Sequence, residues 1–334
     1  MKRLFALVLG LSLLAGSAFA LTLNGAGATF PYPIYSKWFA DYQAAKGTMI
    51  NYAPIGSGGG IRQFTNGVVD FGASDAPMTN GEIEKAGGDV LHIPTVAGSV
   101  AIVNNAGLDG LKLDGETLAA IYLGEIKKWN DSRIAELNPG LDLPNKAIRV
   151  VYRSDASGTT NIFTSYLSAV STSWAARVGA DKSVAWPVGI GGKGNPGVAG
   201  AVKNSDGSIG YVELAYAETN NLPTAKIKNR AGRYVAPSVA STTAAAAGGI
   251  RRMPSDFRAM IVNQPGAETY PICGFTWLLV HKNQANADKG TALKDFLKWA
   301  LSDGQQSAAS LYYAPLPSAL QSKVLAAIDS ISVQ

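Results

Sequence analysis

Ile148-Arg149-Val150-Val151-Tyr152, then Arg153-Ser154-Asp155-Ala156-Ser157-Gly158-Thr159-Thr160, then Asn161 to Val170 run on without a break, and the three pieces read as strand, turn and helix. The first is apolar and β-branched, the last carries apolar residues at helical spacing, and the turn between them sets small hydroxyls around a glycine. A helix N-terminus leaves backbone N–H groups without intrahelical acceptors and with partial positive charge, so such a turn offers aligned donors to an anion. Ser157, Thr159 and Thr160 add hydroxyl donors, Gly158 lets the backbone approach closely, and Arg153 supplies a planar fork for two oxygens of a tetrahedral oxyanion. An ordinary capped helix after a strand can carry the same residues. The rest of the chain has to decide.

The same grammar recurs on both sides. Leu21 to Asn24 reads as a strand before the turn Gly25 to Phe30, and Ile34, Tyr35, Trp38, Phe39 and Tyr42 recur at helical spacing behind Pro31, which places Thr29 and Phe30 at a helix start and the aromatics in a core. Met49 to Ile55 alternates as a strand into Gly56 to Gly60, and Ile61 to Asn66 continues as a helix, so Ser57 lies at another helix N-terminus. Val68 to Ser74 is a third strand, ending at Asp75. Further strands are expected at Val96 to Val103, Ile209 to Glu213 and Thr276 to His281, with helices at Gly115 to Leu123, Leu293 to Leu301 and Ser318 to Ile331. Arg230 to Arg252, with its alanine tract, reads as the least structured segment. Strands alternating with helices over 334 residues predict an α/β protein with largely parallel sheets, long enough for two domains. Ligands in such domains bind outside the carboxyl ends of the strands, where the three hydroxyl turns, Arg153 and Asp75 all fall.

Composition removes several function classes. Lys2 and Arg3, the apolar run Leu4 to Leu14 and Ala18-Phe19-Ala20 read as a cleavable secretory leader over residues 1–20. No Cys stands at the new N-terminus, so release into the periplasm is expected rather than a lipid anchor. The one cysteine, Cys273, has no partner for an intramolecular disulfide. After the leader the chain carries 27 basic and 24 acidic residues without a basic block, a poor match to nucleic acid. Gly189 to Gly194 matches G-x-G-x-x-G, but it follows Trp186-Pro187 rather than a clear strand, and it reads as a tight turn in a glycine-rich loop. His92 and His281 lie in or beside apolar strand patterns, so neither Ser57 nor Ser157 has an evident base, and no zinc set is evident.

Taken together these stretches resemble the periplasmic phosphate-binding proteins of high-affinity, Pst-type phosphate ABC transporters. The likeness is carried by Gly25 to Pro31, Asn51-Tyr52 with Gly56 to Gly59, Val69 to Pro77, Ile121 to Gly124 with Lys128-Trp129, Leu137 to Gly140, Arg153 to Thr159, and Gly189 to Asn195 followed by Ile209 to Glu213. It departs chiefly at Arg230 to Arg252. The resemblance implies a two-lobed clamshell of the type II solute-binding fold, each lobe a mixed, mostly parallel sheet flanked by helices. Lobe I is expected over 21–94 and 265–334 and lobe II over 95–264, with the hinge near 94–95 and 264–265. Phosphate is implied in the cleft, held by Thr29, Phe30, Ser57, Asp75, Arg153, Ser157, Gly158 and Thr159, with Asp155 holding Arg153.

Asp75 is the member whose chemistry is least obvious, since a carboxylate beside an anion looks wrong. Phosphate near neutral pH keeps a hydroxyl proton that a carboxylate accepts, whereas sulfate has none and would set lone pairs against lone pairs. A buried polar group denied its partner costs about 1–3 kcal/mol, more when charged, and sites built this way reject analogues by roughly 10⁴-fold. The implied partners are phosphate, a membrane permease and its ATPase; no cofactor, metal or catalytic residue is expected, and a monomer is. A secreted phosphomonoesterase using the same cradle, or a surface phosphate scavenger without a permease, are the alternatives.

Overall fold

The computed structural model describes residues 21–334; the leader expected over 1–20 lies outside them. One eight-stranded sheet runs in the order Met49–Pro54, Thr22–Gly27, Phe71–Ser74, Cys273–His281, Val90–Asn105, Ser208–Glu213, Arg149–Arg153, Ile190–Gly192. The first three strands are parallel, and so are the last three. The antiparallel pairings lie between them, where Cys273–His281 meets Phe71–Ser74 and Val90–Asn105, and where Val90–Asn105 meets Ser208–Glu213. The expected parallel pairing therefore holds in each arm, and the two arms are joined through long antiparallel strands.

Val90–Asn105 is the element that makes the join. It pairs with Cys273–His281 as far as Ser99 and with Ser208–Glu213 from Val100 onward. The sequence pattern placed this strand only at Val96 to Val103, because Pro94 breaks the ladder. The structure accommodates the proline with a bulge: the register shifts at Thr276/Trp277 and leaves Thr95 without a partner residue, as expected where a residue lacks its N–H. The Thr95 hydroxyl instead meets Tyr35 Oη at 2.8 Å.

Helices cover both faces. Tyr32–Lys46 starts behind Pro31, buries Ile34, Tyr35, Trp38, Phe39 and Tyr42, and stops at Gly47 in the left-handed conformation. Tyr35, Phe39, Tyr42, Tyr52, Phe71 and Phe296 form a continuous ring cluster beneath it. On the other arm Tyr122, Phe163, Trp186 and Tyr211 do the same. His92 accepts from the Met78 N–H at 3.0 Å and His281 stacks on Phe64, so both histidines are packed as their patterns indicated.

Arg230 to Arg252 is more ordered than its composition suggested. Tyr234–Val235 pairs with Lys226–Lys228, and Val239–Ile250 is a helix capped by Ser238, whose hydroxyl accepts from Ser241 N–H. The alanine tract is the helix itself, because alanine loses no side-chain entropy on becoming helical. Its small buried face, Ala245, Ala246 and Gly249, packs beside the joining strands; a Cβ on Gly249 would sit 2.2 Å from Ile261 Cγ2. Among the described residues no helix is long and apolar enough to cross a membrane.

Candidate functional site

The carboxyl ends of both parallel arms point to one place. On one side Thr29 and Phe30 follow Thr22–Gly27, Ser57 is the first residue of helix Ser57–Thr65, and Asp75 follows Phe71–Ser74. On the other Arg153 ends Arg149–Arg153, Ser157 caps helix Gly158–Val170, and Gly158 and Thr159 open it. All eight are buried. The Ser157 cap is explicit, its hydroxyl accepting from Thr160 N–H at 3.1 Å.

The two sides touch. Gly158 N–H donates to Ser57 Oγ at 3.0 Å, Gly58 N–H to Ala156 O at 2.9 Å, and Tyr216 Oη to Thr29 O at 2.5 Å. Glycine is required at two positions where the sides meet. Gly56 has φ 88° and a Cβ there would lie 2.3 Å from Asp155 Oδ2; a Cβ on Gly158 would lie 2.6 Å from both Asp75 Cβ and Ser57 Oγ. Around the mouth, Thr29, Tyr32, Ile55, Lys193, Pro196 and Tyr216 line a cavity of about 280 Å³. Larger surface clefts, around Tyr42 and Trp299 and around Arg251 and Gln264, lie elsewhere and contain none of these groups.

Arg153 is clamped rather than free. Its Nε donates to Asp155 Oδ1 at 2.8 Å and its Nη2 to Asp155 Oδ2 at 2.5 Å, a bidentate pair, while Nη1 reaches Thr159 Oγ1 at 3.2 Å. Its backbone N–H meets Tyr211 Oη, which also shares a hydrogen bond with Thr160 Oγ1. Burial raises the Asp155 pKa, but hydrogen bonds and charge from Arg153 outweigh it, helped by Gly194 N–H at 2.9 Å, and hold the carboxyl below its ordinary value.

Asp75 is the opposite case. It is 1 % exposed, and burial pushes its carboxyl up to about 7 although Thr276, Arg153 and Ser57 all favour the ionised form. Thr276 Oγ1 donates to Oδ1 at 2.9 Å and Ser57 Oγ lies 3.4 Å from Oδ2. The folded pKa exceeds the unfolded one, so the folded chain holds this proton between about pH 4 and pH 7. Asp75 thus contributes stability that is full below that window and lost as pH rises through it. This holds for the closed arrangement, in which Gly158 and Ser57 pack against the carboxyl.

Three residues at the site were not singled out from the sequence. Thr276 lies on the joining strand Cys273–His281, and Tyr211 on Ser208–Glu213. Asn195 comes from the segment read as a glycine-rich loop. Instead, Ile190–Gly192 pairs with Arg149–Arg153 as an edge strand and Gly194–Lys203 is a helix, so Gly189 to Asn195 is a further strand, turn and helix start. Asn195 Nδ2 donates to Thr29 Oγ1 at 2.9 Å and to Thr159 Oγ1 at 3.1 Å. The signal that could have found it is Pro196 in the first helical turn.

A scan of protein-family models matches residues 15–304 to a PBP superfamily domain. A phosphate-binding protein PstS of Pasteurella multocida is 45 % identical over 97 % of this chain and 95 % of its own length. The chain belongs to the PstS phosphate-binding protein family. A second family member, from Xylella fastidiosa, is 46 % identical over 89 % of this chain and 82 % of its own. The fold agrees with solved structures: the high-affinity periplasmic phosphate-binding protein PfluDING, bound with phosphate, superposes with a TM-score of 0.72 at 24 % identity over 92 % of this chain and 93 % of that one. The phosphate-binding protein of Stenotrophomonas maltophilia gives 0.70 at 23 % identity, over 92 % and 94 %. This is the two-lobed periplasmic-binding fold.

Proposed function

We propose that the chain captures inorganic phosphate outside the cytoplasm and delivers it to a membrane permease and its ATPase. The observation that carries this is the convergence, in one buried place, of helix-start donors from both arms, one clamped arginine and a single carboxylate acceptor. Thr29, Phe30, Ser57, Arg153, Ser157, Gly158 and Thr159 supply donors to the anion, the Gly158 N–H and the Ser57 hydroxyl exchanging their contacts with Ser57 Oγ and Asp75 Oδ2 for it; Asp75 accepts its one hydroxyl, and Asp155 keeps the Arg153 fork in plane. Close relatives named as phosphate-binding proteins support the ligand. Equilibrium dialysis against radiolabelled phosphate tests it: saturable uptake of one phosphate per chain is expected, and no uptake would refute it.

The chain divides, on this reading, into lobe I over 21–94 and 265–334 and lobe II over 95–264, with the hinge near 94–95 and 264–265. The change of partner along Val90–Asn105 supports a strand shared by both lobes. Closure replaces water around the anion with fixed donors, so phosphate shifts the population toward the closed form by its differential affinity. The protein is secreted by its leader into the periplasm and works as a monomer. It turns nothing over: Ser57 and Ser157 serve as hydrogen-bonding groups, and both imidazoles are engaged elsewhere.

Gly158→Ala tests the role of closure. The added Cβ needs room that Asp75 and Ser57 occupy, whereas the open lobes accommodate it. Phosphate affinity is expected to fall about 100-fold or more, with the melting temperature of the unliganded chain nearly unchanged. Titration calorimetry paired with a thermal melt checks both halves.

A further inference from the structure

Two hydroxyls of the site have their polarity fixed by the protein, and one residue fixes both. Asn195 is fully buried, and its amide has only one orientation. Glu213 N–H, which can only donate, lies 2.9 Å from Asn195 Oδ1, so the oxygen is on that side and the NH₂ on the other. Both amide protons are then committed: one goes to Thr29 Oγ1 at 2.9 Å, the other to Thr159 Oγ1 at 3.1 Å. A hydroxyl has two acceptor lone pairs and one proton. Thr29 Oγ1 receives a second donor from Asn195 N–H at 3.1 Å, and Thr159 Oγ1 a second from Arg153 Nη1 at 3.2 Å. With both lone pairs engaged, each hydroxyl has only its proton left to offer, and neither donates it to a protein acceptor among the described residues.

We propose that Asn195 is a positioning residue that locks Thr29 and Thr159 as obligate donors, one from each lobe, and so leaves Asp75 as the acceptor for an anion's hydroxyl. Ser57 is not locked in this way: its Oγ accepts from Asp75 N–H at 3.2 Å and Gly158 N–H at 3.0 Å, but its own proton is directed at Asp75 Oδ2, 3.4 Å away. The role of Asn195 rests on the phosphate reading above. Its consequence is a count of ligand protons: a phosphate with one hydroxyl satisfies the site, whereas a second hydroxyl would face donors. Asn195 lies at a helix start, between Lys193 at the mouth and the buried Glu213, and it touches both lobes without being an anion donor itself.

The test is titration calorimetry with inorganic phosphate from pH 5 to pH 8 on the wild-type chain, Asn195→Asp, Asn195→Ala, the Thr29→Val/Thr159→Val double variant, and that double variant with Asn195→Ala. In Asn195→Asp a carboxylate oxygen replaces the amide donor, both threonine protons turn toward it, and phosphate affinity at pH 8 is expected to fall about 100-fold or more. In Asn195→Ala the hydroxyls are free to accept, so the loss at pH 8 is about tenfold, and the affinity falls less steeply than wild type toward pH 5. Adding Asn195→Ala to the valine variant is expected to cost less than about threefold, because Asn195 acts through the two hydroxyls. Wild-type phosphate binding together with parallel pH profiles, or with an undiminished Asn195→Ala loss in the valine background, overturns the assignment while leaving the phosphate reading standing. Absence of phosphate binding by the wild-type chain overturns both. The valine arm keeps the test decisive if Asn195→Asp does not fold.

Discussion

Asp75→Asn is expected to bind sulfate about 10²–10⁴ times more tightly than the wild-type chain at pH 8, while its phosphate affinity falls by about 10–100-fold, because the ligand's hydroxyl loses its acceptor. At that pH the wild-type carboxyl, with its pKa near 7, is mostly ionised and acts only as an acceptor. Phosphate brings the matching hydroxyl; sulfate brings lone pairs. In the variant the amide has a defined orientation, because Thr276 Oγ1 donates at the Oδ1 position and so selects the amide oxygen there. The NH₂ then faces Ser57 and the anion, and a donor stands where the acceptor was. Competition calorimetry with the two anions measures the ratio. An unchanged ratio would remove Asp75 from the selectivity argument. Protonation should mimic the substitution: wild-type sulfate affinity is expected to rise as pH falls through about 7, whereas the variant stays flat over the same interval.

Removing the arginine has the second large effect. Arg153→Met alone would leave Asp155 without its bidentate partner, and an orphaned, largely buried carboxylate typically costs about 3–5 kcal/mol; a loss of binding would then be ambiguous. Arg153→Met combined with Asp155→Asn removes both charges and avoids that. Phosphate affinity is expected to fall roughly 10³-fold in the pair, with a melting temperature close to wild type. Asp155→Asn alone keeps the cation but frees its fork, since Nε and Nη2 lose charged acceptors at 2.8 and 2.5 Å. That variant should fall between the two, and a double variant that binds like wild type would mean the guanidinium serves only the fold.

The residues that sequence reasoning identified are those governed by local rules. Ser57, Ser157, Gly158 and Thr159 sit at helix starts because small hydroxyls and glycine are what a strand-to-helix turn above a sheet requires, and Arg153 ends a strand; the role of Asp155, two residues on, came from the family resemblance alone. Thr276 and Asn195 obey no such rule. Thr276 reaches Asp75 across 201 positions of sequence, and a threonine in an apolar strand carries no mark of what it faces. Asn195 was hidden because the strand before it is three residues long and behind a proline, too short for a periodicity to show. The alanine tract erred the other way, its low complexity concealing a capped helix. Pro94 masked half of the strand that ties the sheet together, because a bulge that absorbs a proline is a tertiary fact.

The anion choice is the central claim, and calorimetry of the wild-type chain at pH 8 with phosphate and then sulfate tests it most directly. Donors alone would hold either tetrahedral anion; only the buried carboxylate tells them apart. Phosphate is expected to bind with one-to-one stoichiometry and sulfate roughly 10⁴-fold more weakly. Equal affinities would contradict the account.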